Sequence, residues 1–453
     1  MNKSLPLTLI LIFLTASCII MVQPASGATA VEGNSWVSKA PMPTAREYLG
    51  VAVVDGKIYA IGGNAGGGDL GTNEEYNPAT NTWAFKAPMP TPSSRFVTAV
   101  SQNKIYCLGA GINEVYNPAN NTWENKSPLH ILIAQANVVN DKIYVIGGYP
   151  NFTSNQVYDP ATDTWTTKTA MPKAGAVSAS AVLDDKIYFF GSIYEQGYHS
   201  ITEIYNPADS WSFGTGAPTY FDVGSAAVTS GFLAPKRIYV FDHPLTDASI
   251  HGPFFTNQVY DPENDSWTGG ADLPSSRQGF GVAVLNDTIY VIGGYSQSPL
   301  VILTQPDSRG SLYGGGIRTY FATVEAYTPF GYGTVPPTIT IASPLENANY
   351  STSNTSLAFN LNKPVNWSSY SLDGKDNVTV TGNSTLTGLA NGSHNITVYA
   401  EDSFENIGAS ETITFKVAQP ESEPFPTLPV AAVTAIIAVV CVVVFLYFRK
   451  RKG

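Results

Sequence analysis

The chain has 453 residues, a formal charge of −11, and only 13% charged residues against 12% aromatics, 40 glycines and 31 prolines. That length holds two or three domains and a large core with no need of a metal or disulfide staple. The mixture fits an all-β protein rich in turns better than a helical enzyme. Setting aside Lys3 and the terminal cations Arg449, Lys450, Arg451 and Lys452 leaves −16 on residues 31–428, which argues against nucleic acid as a partner.

The first element, residues 1–28, has one early cation (Lys3), an apolar run from Leu5 to Val22, and the small residues Ala25-Ser26-Gly27-Ala28. That order predicts a cleavable secretory signal peptide. Of three cysteines, Cys18 lies in this leader and Cys441 in the terminal apolar run. Only Cys107 remains in the folded body, so no disulfide is expected within it.

Internal repeats occupy the next three hundred or so residues. The pair Ile-Tyr recurs at Ile58, Ile105, Ile143, Ile187, Ile238 and Ile289, at spacings of 38 to 51 residues. Each is followed by a Tyr-x-Pro, at Tyr76, Tyr116, Tyr158, Tyr205, Tyr260 and Tyr327. A tryptophan comes six or seven residues after the first five, at Trp83, Trp123, Trp165, Trp211 and Trp267. The first unit predicts four strands, Gly50–Val54, Lys57–Gly62, Glu74–Tyr76 and Thr82–Phe85. Asp55-Gly56 supplies a tight hairpin, since both residues tolerate φ > 0. Gly62-Gly63, Gly147-Gly148 and Gly293-Gly294 end second strands, where a missing Cβ lets backbones crowd near an axis. A four-stranded sheet with two apolar faces cannot stand alone, so the units must pack in a ring.

These Gly-Gly, Tyr and Trp markers resemble kelch repeats, and the resemblance implies a six-bladed kelch β-propeller over residues 33–330. Blades two, four and five depart from the diglycine, with Gly109-Ala110, Gly191-Ser192 and Phe241-Asp242. Trp36 precedes the first Ile-Tyr and no tryptophan follows Tyr327. The segment around Trp36 should therefore be the fourth strand of the last blade.

Residues 334–417 lose these markers and predict an Ig-like β-sandwich of six or seven short strands, resembling modules of prokaryotic, especially archaeal, surface proteins. Asn349, Asn354, Asn366, Asn377, Asn383, Asn391 and Asn395 each open an Asn-x-Ser/Thr sequon, an excess that points to glycosylation. Five more, at Asn120, Asn125, Asn151, Asn264 and Asn286, fall in the propeller. A Pro/Glu linker, 418–428, leads to residues 429–448, uncharged and long enough to cross a bilayer as a transmembrane helix. The basic tail 449–453 should stay cytoplasmic, leaving the ectodomain outside the cell membrane.

The expected function is cell-surface recognition or adhesion, with an extracellular protein or glycan ligand on the face carrying the long loops 192–202, 242–257 and 295–323. Arg46, Arg95 and Arg277 lie ten or twelve residues before their Ile-Tyr pairs, where the chain runs into the innermost strand. In kelch domains similar arginines point into the mouth of the ring, where guanidinium forks bind carboxylates. The alternative is a structural salt bridge or packing on the preceding proline. No cofactor or metal is expected, nor an enzyme: no Ser/His/Asp set, carboxylate pair or metal spacing stands out. The family also contains carbohydrate-active enzymes. A sialic-acid mutarotase-like activity would use the same arginines. A copper-radical oxidase would need two His, two Tyr and a Cys bonded to Tyr, whereas His130, His199, His243 and His251 are scattered and Cys107 sits beside Tyr106. A purely structural envelope protein is the third class.

Overall fold

The computed structural model describes residues 33–132, 134–173, 176–194, 197–219, 224–242, 256–297, 301–302, 313–314, 317–420 and 430–451. The chain divides into two compact units, 1–335 and 336–453. The expected signal peptide, residues 421–428 of the linker, His243, His251 and most of the glycine-rich run 310–316 lie outside the described residues.

In the first unit six four-stranded antiparallel sheets share one plan. The first runs in spatial order Gly50–Val54, Lys57–Ile61, Asn73–Asn77 and Thr82–Phe85, within a residue or so of the expected strands. Asp55 and Gly56 both take positive φ, 47° and 69°, the left-handed geometry that a two-residue hairpin demands. The innermost strands are Gly50–Val54, Val97–Ser101, Gln135–Val139, Ala176–Leu183, Ser225–Val228 and Gly281–Leu285. Each packs against the next, and the last packs against the first. The sheets are therefore the six blades of a closed propeller.

The repeated tyrosines explain why the ring holds. Every interface between blades carries one tyrosine pair: Tyr59–Tyr116, Tyr106–Tyr158, Tyr144–Tyr205, Tyr188–Tyr260, Tyr239–Tyr327 and Tyr290–Tyr76, with centroids 5.6–6.1 Å apart. The sixth pair joins the last blade to the first. Such pairs add about 0.5–1.5 kcal/mol each beyond the burial of their rings.

The tryptophans form a second set of ties. Trp83 Nε1 donates to the Ala40 carbonyl at 2.9 Å, while the Ala40 amide donates to Asn81 Oδ1 at 2.8 Å. Tyr76 Oη donates to the same Asn81 oxygen. Thus one residue before each blade is gripped at both backbone groups by that blade's outer hairpin. The arrangement recurs at Ala87 with Trp123 and Asn121, Ser127 with Trp165 and Asp163, Thr169 with Trp211 and Asp209, and Thr215 with Trp267 and Asp265. Asn34 and Trp36 complete the sixth grip on Ala271, with Trp36 Nε1 donating to its carbonyl at 3.0 Å. Ser35–Lys39 pairs with Val324–Thr328, Trp36 facing Tyr327, so the N-terminal segment is the outer strand of blade six, as its tryptophan predicted.

At Gly62 (φ 59°) an added Cβ would lie 2.6 Å from the Ser93 carbonyl and 2.6 Å from the Phe96 ring of blade two. The diglycine thus serves close approach between blades. Most of one expected loop is strand: residues 192–194 and 197–202 continue a long hairpin, Lys186–Tyr194 with Gly197–Asn206, past a bulge between Phe190 and Ser192. Their alternating backbone pairing is satisfied within the hairpin, which is why no free loop forms there. The described parts of 295–323 likewise pair as two short ribbons.

The second unit has two sheets. Ile339–Ser343, Thr355–Leu361 and Ser384–Leu386 form one; the other is built on Gly392–Glu401, flanked by Ile413–Val417 and Trp367–Leu372. Leu357, Phe359 and Leu386 from the first meet Ile396, Val398 and Phe415 from the second in one core. A helix, α1, runs Val430–Lys450 with Ile436 through Phe448 largely exposed. Among the described residues no helix is long and apolar enough to cross a membrane, and the side chains of 430–433 lie outside them.

Candidate functional site

The six inner strands enclose a channel with a cavity of about 360 Å³, lined by small and polar groups such as Gly50, Thr98, Ala136, Ser180, Ala226 and Gly281, one from each blade. Its mouth is bordered by the residues ten places before the Ile-Tyr pairs of three blades. In blades one, two and six this residue is Tyr48, Arg95 and Gly279, with φ of 51°, 60° and 65°. All three line the cavity, and at Tyr48 and Arg95 the left-handed turn sets a side chain there.

Arg95 is exposed, its guanidinium carbon 4.4 Å from the centre of the Tyr48 ring. Tyr48 in turn faces Tyr295, with ring centroids 5.9 Å apart and hydroxyl oxygens 3.4 Å apart. Arg318 lies 4.4 Å over Tyr295 and donates from Nη1 to Glu47 Oε1 at 2.7 Å. Glu47 is 3% exposed. Burial pushes its carboxyl upward, while Arg318 and Arg95 pull it back. The mouth therefore carries a ladder Arg95–Tyr48–Tyr295–Arg318. Glu47 neutralises one end, and among the described residues no carboxylate lies within ion-pair distance of Arg95. A guanidinium held on an aromatic face in a partly enclosed site is disposed to fork onto an anion.

Arg46 and Arg277 are elsewhere. Both are wholly buried. Arg46 Nη1 meets Glu74 Oε2 at 2.5 Å and the Thr44 carbonyl at 2.8 Å, and Nη2 donates to the Ala60 carbonyl. Arg277 is bonded to Glu325 and Thr323. Of the two readings the sequence left open for these arginines, Arg46 and Arg277 take the salt bridge, each within its own blade, and of the three only Arg95 faces the channel. The sequence held the signal in the spacing, twelve residues to Ile-Tyr for Arg46 and Arg277 but ten for Arg95. Residues two places apart on an extended strand would share a face, and it is the left-handed φ of 60° at Arg95 that carries its side chain to the mouth. Tyr48, Tyr295 and Arg318 were missed because nothing in sequence brings an insertion residue to residue 48.

The other candidates are dispersed. Cys107 is fully buried with its thiol pushed well up by desolvation, and His130 is exposed on blade three's approach. The side chain of His199 lies outside the described residues. Among the described residues no group of three His, Cys, Asp or Glu is placed to hold a metal. All seven sequon asparagines of the second unit, Asn349, Asn354, Asn366, Asn377, Asn383, Asn391 and Asn395, are exposed.

The kelch motif model matches residues 45–90 and 134–172, within blades one and three of the six-bladed ring. Halomucin of Haloquadratum walsbyi is 34% identical over 209 residues, 44% of this chain and 2% of that protein. Kelch-like protein terF of Aspergillus terreus is 26% identical over 185 residues, 35% of this chain and 38% of its own. Kelch-like protein 15 of Danio rerio is 54% identical over 39 residues, covering 9% and 6%. The chain thus spans well under two thirds of each of these relatives. Among solved structures, that of YjhT aligns with a TM-score of 0.48 and 14% identity, over 62% of this chain and 98% of that one.

Proposed function

We propose that this is a cell-surface recognition protein that holds an anionic, carboxylate-bearing ligand at the mouth of the propeller channel. The observation that carries this is Arg95, an exposed guanidinium stacked on Tyr48 with no carboxylate within ion-pair distance among the described residues, while Glu47, its electrostatic neighbour, is paired to Arg318. Its neighbours supply aromatic faces and hydroxyls for orientation rather than a nucleophile or a base pair, so the site binds and does not catalyse. The leader, the uncharged stretch 429–448 before Arg449-Lys450-Arg451-Lys452, and the likeness to Halomucin favour an ectodomain outside the cell on a single membrane anchor. In this reading the second unit is an Ig-like spacer dressed with glycans at its exposed asparagines.

A charge-assisted fork contributes about 1.5–3 kcal/mol, or roughly ten- to a hundredfold in affinity. Arrays of acidic glycans and peptides probed with the full chain should give hits that Arg95→Ala weakens by about that factor. Lys104→Ala, which removes a surface ion pair with Glu124, should leave them unchanged. Tight binding that survives Arg95→Ala refutes the site.

A further inference from the structure

The propeller's rim is uneven beside Arg95. In blade two the second and third strands, Lys104–Gly109 and Ile112–Asn117, are joined by Ala110 and Gly111 alone, both at positive φ. The corresponding connections span 62–72 in blade one, 147–154 in blade three and 293–323 in blade six. The rim therefore has a notch over the blade that supplies Arg95. His130, exposed, borders it: a Cβ on Gly111 would lie 3.3 Å from the His130 ring.

Across the notch, blade three presents an apolar surface that is exposed among the described residues. Leu132 and Tyr149 are tied by two backbone hydrogen bonds of 3.0 and 2.8 Å. Their side chains are 40% and 56% exposed, and Phe152, 36% exposed, meets Tyr149 edge-to-face at 6.1 Å. Ala134 and Gln135, two and three places on from Leu132 in the chain, line the channel.

We infer that the ligand is a chain, an acidic polysaccharide, with one uronate-type carboxylate at Arg95 and its following sugars laid through the notch onto Tyr149 and Phe152. This rests on the reading of the mouth given above. The two chemistries at this rim, an exposed guanidinium on an aromatic face and an exposed pair of aromatic rings, match a polymer that alternates carboxylates with the apolar faces of pyranose rings. An extended peptide would seek a free strand edge, but the Leu132 and Tyr149 backbone groups are already spent on each other.

The test is calorimetric titration of the full chain with a monomeric uronate and a series of longer oligouronates. Affinity should climb with length by about tenfold or more, the worth of one or two aromatic contacts. Tyr149→Ala with Phe152→Ala, both at the surface, should flatten that climb and leave the monomer's affinity intact, whereas Arg95→Ala should weaken every length. If the monomer binds and length does not matter, the aromatic subsite is wrong and the mouth reading stands. If no uronate binds at any length, the polysaccharide is refuted, and acidic peptides that bind through Arg95 would still uphold the mouth. Neutral oligosaccharides binding as tightly as the uronates would overturn both.

Discussion

The sharpest consequence of the geometry concerns Arg46, which the resemblance places at a ligand and the structure places in a blade. Truncating it to alanine leaves the Glu74 carboxylate wholly buried, with Thr44 Oγ1 as its remaining partner at 2.7 Å. Breaking a buried pair from one side costs about 3–5 kcal/mol, because the orphaned charge has no water to turn to. The Ala60 carbonyl loses a donor in the same step. That is two to three and a half decades in the unfolding constant. Replacing both partners with apolar residues of similar volume removes the orphan, so Arg46→Leu with Glu74→Leu should recover most of the loss. Urea unfolding of the full chain, followed by tryptophan fluorescence, reads each variant, and affinity for the acidic ligand is measured on whatever remains folded. A cost below about 1 kcal/mol, together with lost binding, would refute the structural assignment and return Arg46 to the site.

Two further outcomes follow from the ring. Trp36→Ala removes the contacts to Tyr327 and Phe241, at 4.9 and 5.6 Å, and the bond to the Ala271 carbonyl; for a partly buried tryptophan this should cost about 3 kcal/mol and let blade six open first, so hydrogen exchange should rise at Val324–Thr328 before other outer strands. Uniform exchange would sink the closure argument. Glu203, buried in blade four with one backbone donor from Lys173, has its carboxyl pushed up to about 7 by desolvation. An acid raised on folding releases its proton more readily when unfolded, so stability falls as pH climbs from about 4.5 to about 7 and then levels. Glu203→Gln, the residue type that blades three and five carry at Gln156 and Gln258, should remove that fall, on the order of 3 kcal/mol; a melting curve whose pH dependence is unchanged by the substitution would contradict it.

Much of the architecture was readable before any coordinates, and the reason is repetition. Six copies of Ile-Tyr, Tyr-x-Pro and Trp each mark a place where one blade must bury an aromatic against its neighbour, and period-two strands leave little freedom in between. The grip on Ala40, Ala87 and their counterparts was hidden, because a backbone carbonyl leaves no mark on residue type. The arginines were misread for a related reason. Arg46 and Arg277 stand twelve residues before their Ile-Tyr pairs and Arg95 ten, a small offset whose meaning appears only with the positive φ that lifts Arg95 to the mouth.

By itself, then, the sequence determined the six units, the strand order within them and the closing strand at Trp36, since each depends on local patterning and turn chemistry. Tertiary structure alone decided the site. The ladder Arg95–Tyr48–Tyr295–Arg318 draws on blades one, two and six, from residue 48 to residue 318 of the chain, and closing the ring is what brings them to one opening. Whether a guanidinium there is free or spent depends on the carboxylate that the fold sets beside it: Glu74 for Arg46, Glu325 for Arg277, and none for Arg95 among the described residues.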